Sequence, residues 1–140
     1  MTTLSTTSRA DTLSASAVLA AVGRIGIAAI FILAGLSKVQ APEGTIGYIA
    51  SVGLPLPTVA LGVAILVELV GGVVLVLGYR TRLIAAALAA FSVVTAFAFH
   101  ADLADQNQFI HFFKNIAIAG GLLNIVAFGG GALSLDARRG

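Results

Sequence analysis

Four stretches of this chain are almost wholly apolar, and each is about as long as a bilayer is thick. They run over about residues 17–38, 57–78, 83–100 and 110–129. A hydrocarbon core of roughly 30 Å calls for roughly 20 apolar residues in an α-helix. Strands of a membrane barrel alternate over about ten residues, and these runs do not. Helices also satisfy their own backbone polar groups inside lipid. The pattern therefore predicts an all-α fold, a four-transmembrane-helix up-and-down antiparallel bundle spanning residues 17–136. A Ser/Thr-rich stretch at 1–16 reads as a flexible cytoplasmic tail, and 137–140 as a short cytoplasmic tail.

One connection is long: KVQAPEGTIGYIASVGLPLP. Pro42 can begin a helix and Gly53 can end one. Between them Ile46, Ile49 and Ala50 share a side at helical spacing. The expectation is a short helix on the membrane surface or in the bundle mouth, with a plain loop as the alternative. The prolines of LPLP predict an extended approach to span two.

Composition agrees with a membrane protein. Hydrophobic residues are 59% and charged residues 10%, against roughly 45–50% and 25% in soluble domains, and the mean hydropathy is +1.05. A net charge of only +2, with no basic and aromatic surface, gives no support to nucleic-acid binding. With no cysteine, disulfides and thiolate metal sites within this chain are excluded.

Short-loop arginines set the expected orientation. Arg9, Arg80, Arg82, Arg138 and Arg139 fall on one side, with Lys38 and Lys114 on the other. That bias places both termini in the cytoplasm. Cleavage of span one as a signal peptide is disfavoured, because AGLSKVQAPEG is an indifferent cleavage site.

Candidate chemistry lies in the few polar residues of the spans. Glu68 is the one charged residue in 57–78 and falls near midplane. Charges there are costly, so they face inward, find partners or lose their charge. Counting depth from the predicted span ends puts Arg24 within about 5 Å of Glu68's level, close enough for an ion pair. The alternative is an Arg24 that snorkels while Glu68 bonds to backbone. At 100° per residue, Arg24, Ala28, Phe31, Gly35 and Lys38 fall on one face of span one, predicted to look inward. A second polar group gathers near the outer edge: Lys38, His100, His111, Lys114 and Asn115. Glu43, Asp102 or Asp105 could pair with Lys114; failing that, its position suits a carbonyl, phosphate or other electron-rich ligand head. Snorkelling toward water is the competing reading. His100 and His111 could in principle hold a haem, and with Asp102 and Asp105 a metal. Both are disfavoured by position and loose spacing, so no metal site is assigned. No nucleotide loop, nucleophile elbow or zincin signature occurs.

The sequence resembles the DoxX family of small bacterial four-helix membrane proteins over about residues 20–136. The resemblance rests on GRIGIAAIFILAGLSK, VGLPLP, AILVELVGG and GYRTRLIAAALAAF, then Phe99–His100, FFKNIAIAGGLLNIVAFGGG and Ser134–Asp136. It implies a plasma-membrane bundle associated with quinone-linked or oxidative-stress redox systems. Its family-like polar positions are Arg24, Lys38, Glu68, His100, Lys114 and Asn115, with no catalytic role assigned to any.

The resulting expectation is an accessory membrane protein, more an added subunit than a standalone enzyme. It would bind a quinone or other small amphipathic molecule, or a membrane oxidoreductase subunit, or a second copy of itself. In that reading Lys114 and His100 donate hydrogen bonds to a ligand carbonyl, and Glu68 is structural or relays protons. The alternatives are a small-metabolite transporter or pore, against which no inverted repeat is evident, and a purely structural bundle.

Overall fold

The computed structural model describes residues 7–139, with side chains from residue 15. Five helices follow in order: α1 (Thr7–Gln40), α2 (Pro42–Ser51), α3 (Pro57–Leu77), α4 (Thr81–Phe99) and α5 (Gln106–Phe128). A 3-10 turn (Asp136–Arg138) closes the chain. Four of the helices, over Ala15–Gln40, Pro57–Leu77, Thr81–Phe99 and Gln106–Phe128, are long and apolar enough to cross a membrane. The all-α four-span bundle predicted from hydropathy is the fold. Helix α1 already starts at Thr7, within the stretch whose composition suggested a flexible tail; residues 1–6 of that tail lie outside the described residues.

The connecting segment does form a helix. Pro42 opens α2, Ile49 is its buried residue, and α2 lies on α3. The approach to α3 differs from expectation. Leu56, before Pro57, adopts the left-handed conformation (φ 51°, ψ 59°) and not the extended one. Proline excludes the right-handed helical region for its predecessor, and the left-handed well is the other way to avoid it.

Packing is inverted relative to a soluble protein. Large apolar side chains such as Leu19, Leu66, Leu83, Val94, Phe97 and Phe128 are exposed, as acyl-chain contact requires. The interior is built from Ala28, Phe31, Leu75, Ala85, Leu88, Ala89, Ala119 and Leu122. Small residues set how closely the helices approach. A Cβ on Gly72 would lie 2.7 Å from Ile32 Cγ1 and 3.3 Å from the Ala28 carbonyl oxygen; one on Gly71 would lie 3.0 Å from Leu88. Span two thus meets α1 on one side and α4 on the other through adjacent glycines. Helices α1 and α3 pack as one pair and α4 and α5 as another, while α1 and α5 touch only sparsely. That gap between pairs positions the site below.

Candidate functional site

The inward stripe of α1 is real. Arg24, Ala28, Phe31 and Gly35 are buried, and Lys38 is half-buried. Its two cations serve opposite ends of the molecule.

At the loop end, Gly35 lets α1 press against α3: a Cβ there would sit 2.7 Å from Leu69 Cγ and 3.3 Å from Glu68 Cβ. Lys38, about one turn further on, reaches back to Glu68, with Nζ 2.9 Å from Oε1. The Lys38 side chain is 25% exposed and that of Glu68 7%, so the carboxylate lies inside the bundle. Its second oxygen, Oε2, is buried with no hydrogen-bond partner. Leaving such an acceptor unpaired costs about 1–3 kcal/mol, more for a charged group.

The pairing of Arg24 with Glu68 suggested by depth counting does not form. A depth measured from residue 17 takes that residue as the end of the helix, but α1 begins at Thr7. Arg24 is consequently level with Val76, at the end of α3, to whose carbonyl it donates. Glu68 is level with Gly35, 11 residues or roughly 16 Å from Arg24 along α1. No arginine spans that gap.

Glu68 and Lys38 line a cavity of about 210 Å³ between the two helix pairs. Phe31 comes from α1, Ser92 and Thr95 from α4, and His111, Lys114 and Asn115 from α5. Ser92 donates to the Leu88 carbonyl at 2.9 Å, and Asn115 Nδ2 to the His111 carbonyl at 3.0 Å. Lys114 has no carboxylate within ion-pair distance among the described residues, where Lys38–Glu68 is the one salt bridge. The acids considered as its partners are engaged elsewhere or distant. Asp105 caps α5 through the Gln108 amide, and Asp102 accepts from the Ala104 amide. Glu43 sits in the first turn of α2. The cavity therefore holds two ammonium groups and one carboxylate within walls of Ile30, Phe31, Phe91 and Ile118.

His100 is not among the cavity's lining residues. Its Nδ1 lies 2.9 Å from Gln108 Oε1, and its ring stacks on His111 with centroids 5.0 Å apart and planes 23° from parallel. It meets the site through His111. No group of three or more His, Asp or Glu side chains suited to a metal gathers among the described residues.

At the other end Arg24 is a structural bracket. Its guanidinium donates to the Gly130 carbonyl through Nη1, and through Nη2 to Leu133 (2.9 Å) and Val76 (3.2 Å). It thereby binds the C-terminal segment to the end of α3. Asp136 completes the junction: Oδ1 accepts from the Arg80 amide (2.7 Å), and Oδ2 from the Thr81 amide (2.7 Å) and hydroxyl (2.6 Å). A residue 55 positions away in sequence thus caps α4, a task usually given to the residue just before the helix. The Thr81 hydroxyl, helped by the Thr81 and Arg80 amides, holds the Asp136 carboxyl below its ordinary value. Gly78 is required here twice. Its φ is +68°, and a Cβ would lie 2.5 Å from Ser134 Cβ.

Sequence reasoning missed Ser92 and Thr95, although their spacing of three places them on one helix face in an otherwise apolar run. It also missed Gly35 as the contact that brings Lys38 to Glu68.

The DoxX family profile matches residues 19–101. The chain belongs to the DoxX family. Two Escherichia coli relatives extend the likeness. The inner membrane protein YphA is 36% identical over 131 residues, covering 89% of this chain and 93% of its own. The inner membrane protein YqjF is 37% identical over 115 residues, covering 82% of this chain and 87% of its own. No solved structure matches significantly. The DoxX profile takes in Lys38, Glu68 and Ser92 but stops before α5. Both E. coli alignments cover too much of the chain to end there.

Proposed function

We propose that this DoxX protein resides in a bacterial inner membrane with both termini cytoplasmic, and binds the head of a small amphipathic molecule of the quinone type. The location draws on the two E. coli relatives, both inner membrane proteins, and the orientation on the arginine bias. The observation that carries the ligand reading is the unpaired Glu68 Oε2 in a cavity that also holds the unpaired Lys114. A quinol hydroxyl would donate to that carboxylate oxygen, and Lys114 would donate to the carbonyl or hydroxyl oxygen of the head group. At about 210 Å³ the cavity is smaller than the roughly 300 Å³ at which drug-sized sites begin. It suits a head group whose tail remains in lipid, and the sparse contact between α1 and α5 offers the tail a way out.

The polar groups lining the cavity are carboxylate, ammonium, hydroxyl, imidazole and amide, which bind and move protons and do not cycle between redox states. The protein would act as an accessory that holds or delivers the molecule to a membrane oxidoreductase. The test is equilibrium titration of protein in lipid nanodiscs with a short-chain benzoquinone and its quinol. Saturable binding weakened at least about tenfold by Lys114→Ala, the loss of one charge-assisted hydrogen bond, supports the reading. Binding that is non-saturable, or indifferent to Lys114→Ala and Glu68→Gln, rejects it.

A further inference from the structure

A second cavity, about 630 Å³, opens at the arginine-bearing end, away from the Glu68 site. Its floor is the backbone of Gly129–Gly131, brought close because Gly130 could carry no side chain: a Cβ would lie 2.7 Å from Thr81 Oγ1. Arg80 and Arg82 supply its cations. Neither arginine has a carboxylate within ion-pair distance among the described residues. The one acid present, Asp136, is turned to the Arg80 and Thr81 amides and the Thr81 hydroxyl and forms no ion pair with either guanidinium. The amides at the start of α4 are partly used by the same carboxylate, which leaves the arginine side chains as the anion-binding groups. The walls are apolar and face outward, with Leu83 61% and Phe128 81% exposed. Phe128 ends one membrane helix and Thr81 begins another, so the cavity lies at the depth where lipid head groups meet acyl chains.

We propose that this cavity binds the phosphate of an anionic phospholipid, with Arg80 and Arg82 on the phosphate and Leu83 and Phe128 against the chains. The argument is charge complementarity combined with depth. A soluble anion would use the arginines but gain nothing from two large apolar side chains exposed beside them. Basic pockets beside transmembrane helices recognise lipid head groups on these terms.

The experiment is lipid retention by the full chain in nanodiscs of mixed phosphatidylglycerol and phosphatidylcholine, read by native mass spectrometry. Wild type should retain phosphatidylglycerol selectively. Arg82→Gln, on an exposed position, should lower that selectivity roughly fivefold, the effect of about one surface cation, and Arg82→Lys should keep most of it. Arg138→Gln, outside the cavity, should change nothing. Unaltered selectivity in Arg82→Gln, or an equal loss in Arg138→Gln, overturns the proposal, the latter by revealing a diffuse basic surface. Displacement of the lipid by excess inorganic phosphate also overturns it, assigning the cavity to a free anion. Thermal unfolding of each variant by circular dichroism separates lost binding from lost folding.

Discussion

Lys38 and Glu68 stand 2.9 Å apart although Glu68 is level with Gly35, about one turn before Lys38 on α1. The lysine leans back along its helix to reach the acid. Breaking one member of such a pair leaves a charge stranded in a dry interior, which costs about 3–5 kcal/mol, whereas replacing both with apolar residues is far less harmful. Lys38→Met should therefore lower the unfolding temperature in detergent more than Lys38→Met with Glu68→Leu. Equal effects would mean that water reaches the carboxylate and that the pair is not desolvated.

The close approach of α1 to α3 is the second testable feature. A Cβ on Gly35 or Gly72 would come within 2.7 Å of a neighbouring side chain, while Gly120 has nothing within 4 Å. Gly35→Ala and Gly72→Ala should each cost about 1–3 kcal/mol through overpacking. Gly120→Ala should be neutral or stabilising by up to about 1 kcal/mol. Denaturation curves of the three variants would give the ranking directly.

Arg24 closes the arginine-bearing end by holding the Gly130, Leu133 and Val76 carbonyls. Arg24→Met should destabilise the protein by about 2–4 kcal/mol, since charged hydrogen bonds contribute about 1.5–3 kcal/mol each but their removal also relieves a buried cation. Hydrogen exchange should report this most strongly at Leu135 and Asp136, whose amides bond to Leu77 and Gly78. Unchanged protection there would contradict the bracketing role.

Asp136 gives the junction a defined pH dependence. Its folded pKa is depressed below the ordinary 3.8 by the Thr81 hydroxyl and then the Thr81 and Arg80 amides. The stability it contributes is fully present above about 3.8 and is lost as pH falls through the depressed folded value. Asp136→Asn should be less stable at neutral pH and should lose less stability than wild type between pH 4 and pH 2, on the scale set by that ordinary value. Unfolding temperatures measured across that range would show the two curves converging; parallel curves would contradict it.

Much of this was legible in the chain because membrane helices announce themselves by length and hydropathy. The inward face of α1 followed from 100° periodicity alone, and Arg24 through Lys38 lie on it as read. What failed was the depth of Arg24. Hydropathy sees where apolar residues begin, but α1 continues through polar residues to Thr7, so the span boundary was no fixed reference for level. The cap of α4 by Asp136 was illegible for a different reason. It joins residues 55 apart, and no local pattern encodes such a contact. The cavity fell between: Lys38, Glu68, Lys114 and Asn115 were found as polar residues in apolar surroundings, but which of them meet depended on the glycine contacts between helices.

The uneven contact between helix pairs has a mechanical consequence. Arg24 of α1 bonds the C-terminal segment to the end of α3 at one end, Tyr48 of α2 bonds the Phe99 carbonyl at the end of α4 at the other (3.1 Å), and α1 touches α5 only sparsely. Widening of the Glu68 chamber at that rim therefore has to break the Tyr48–Phe99 clasp. Tyr48→Phe, which removes the hydrogen bond, should broaden the distance distribution between labels at Val39 and Ala101 and leave that between Ala20 and Ala132 unchanged.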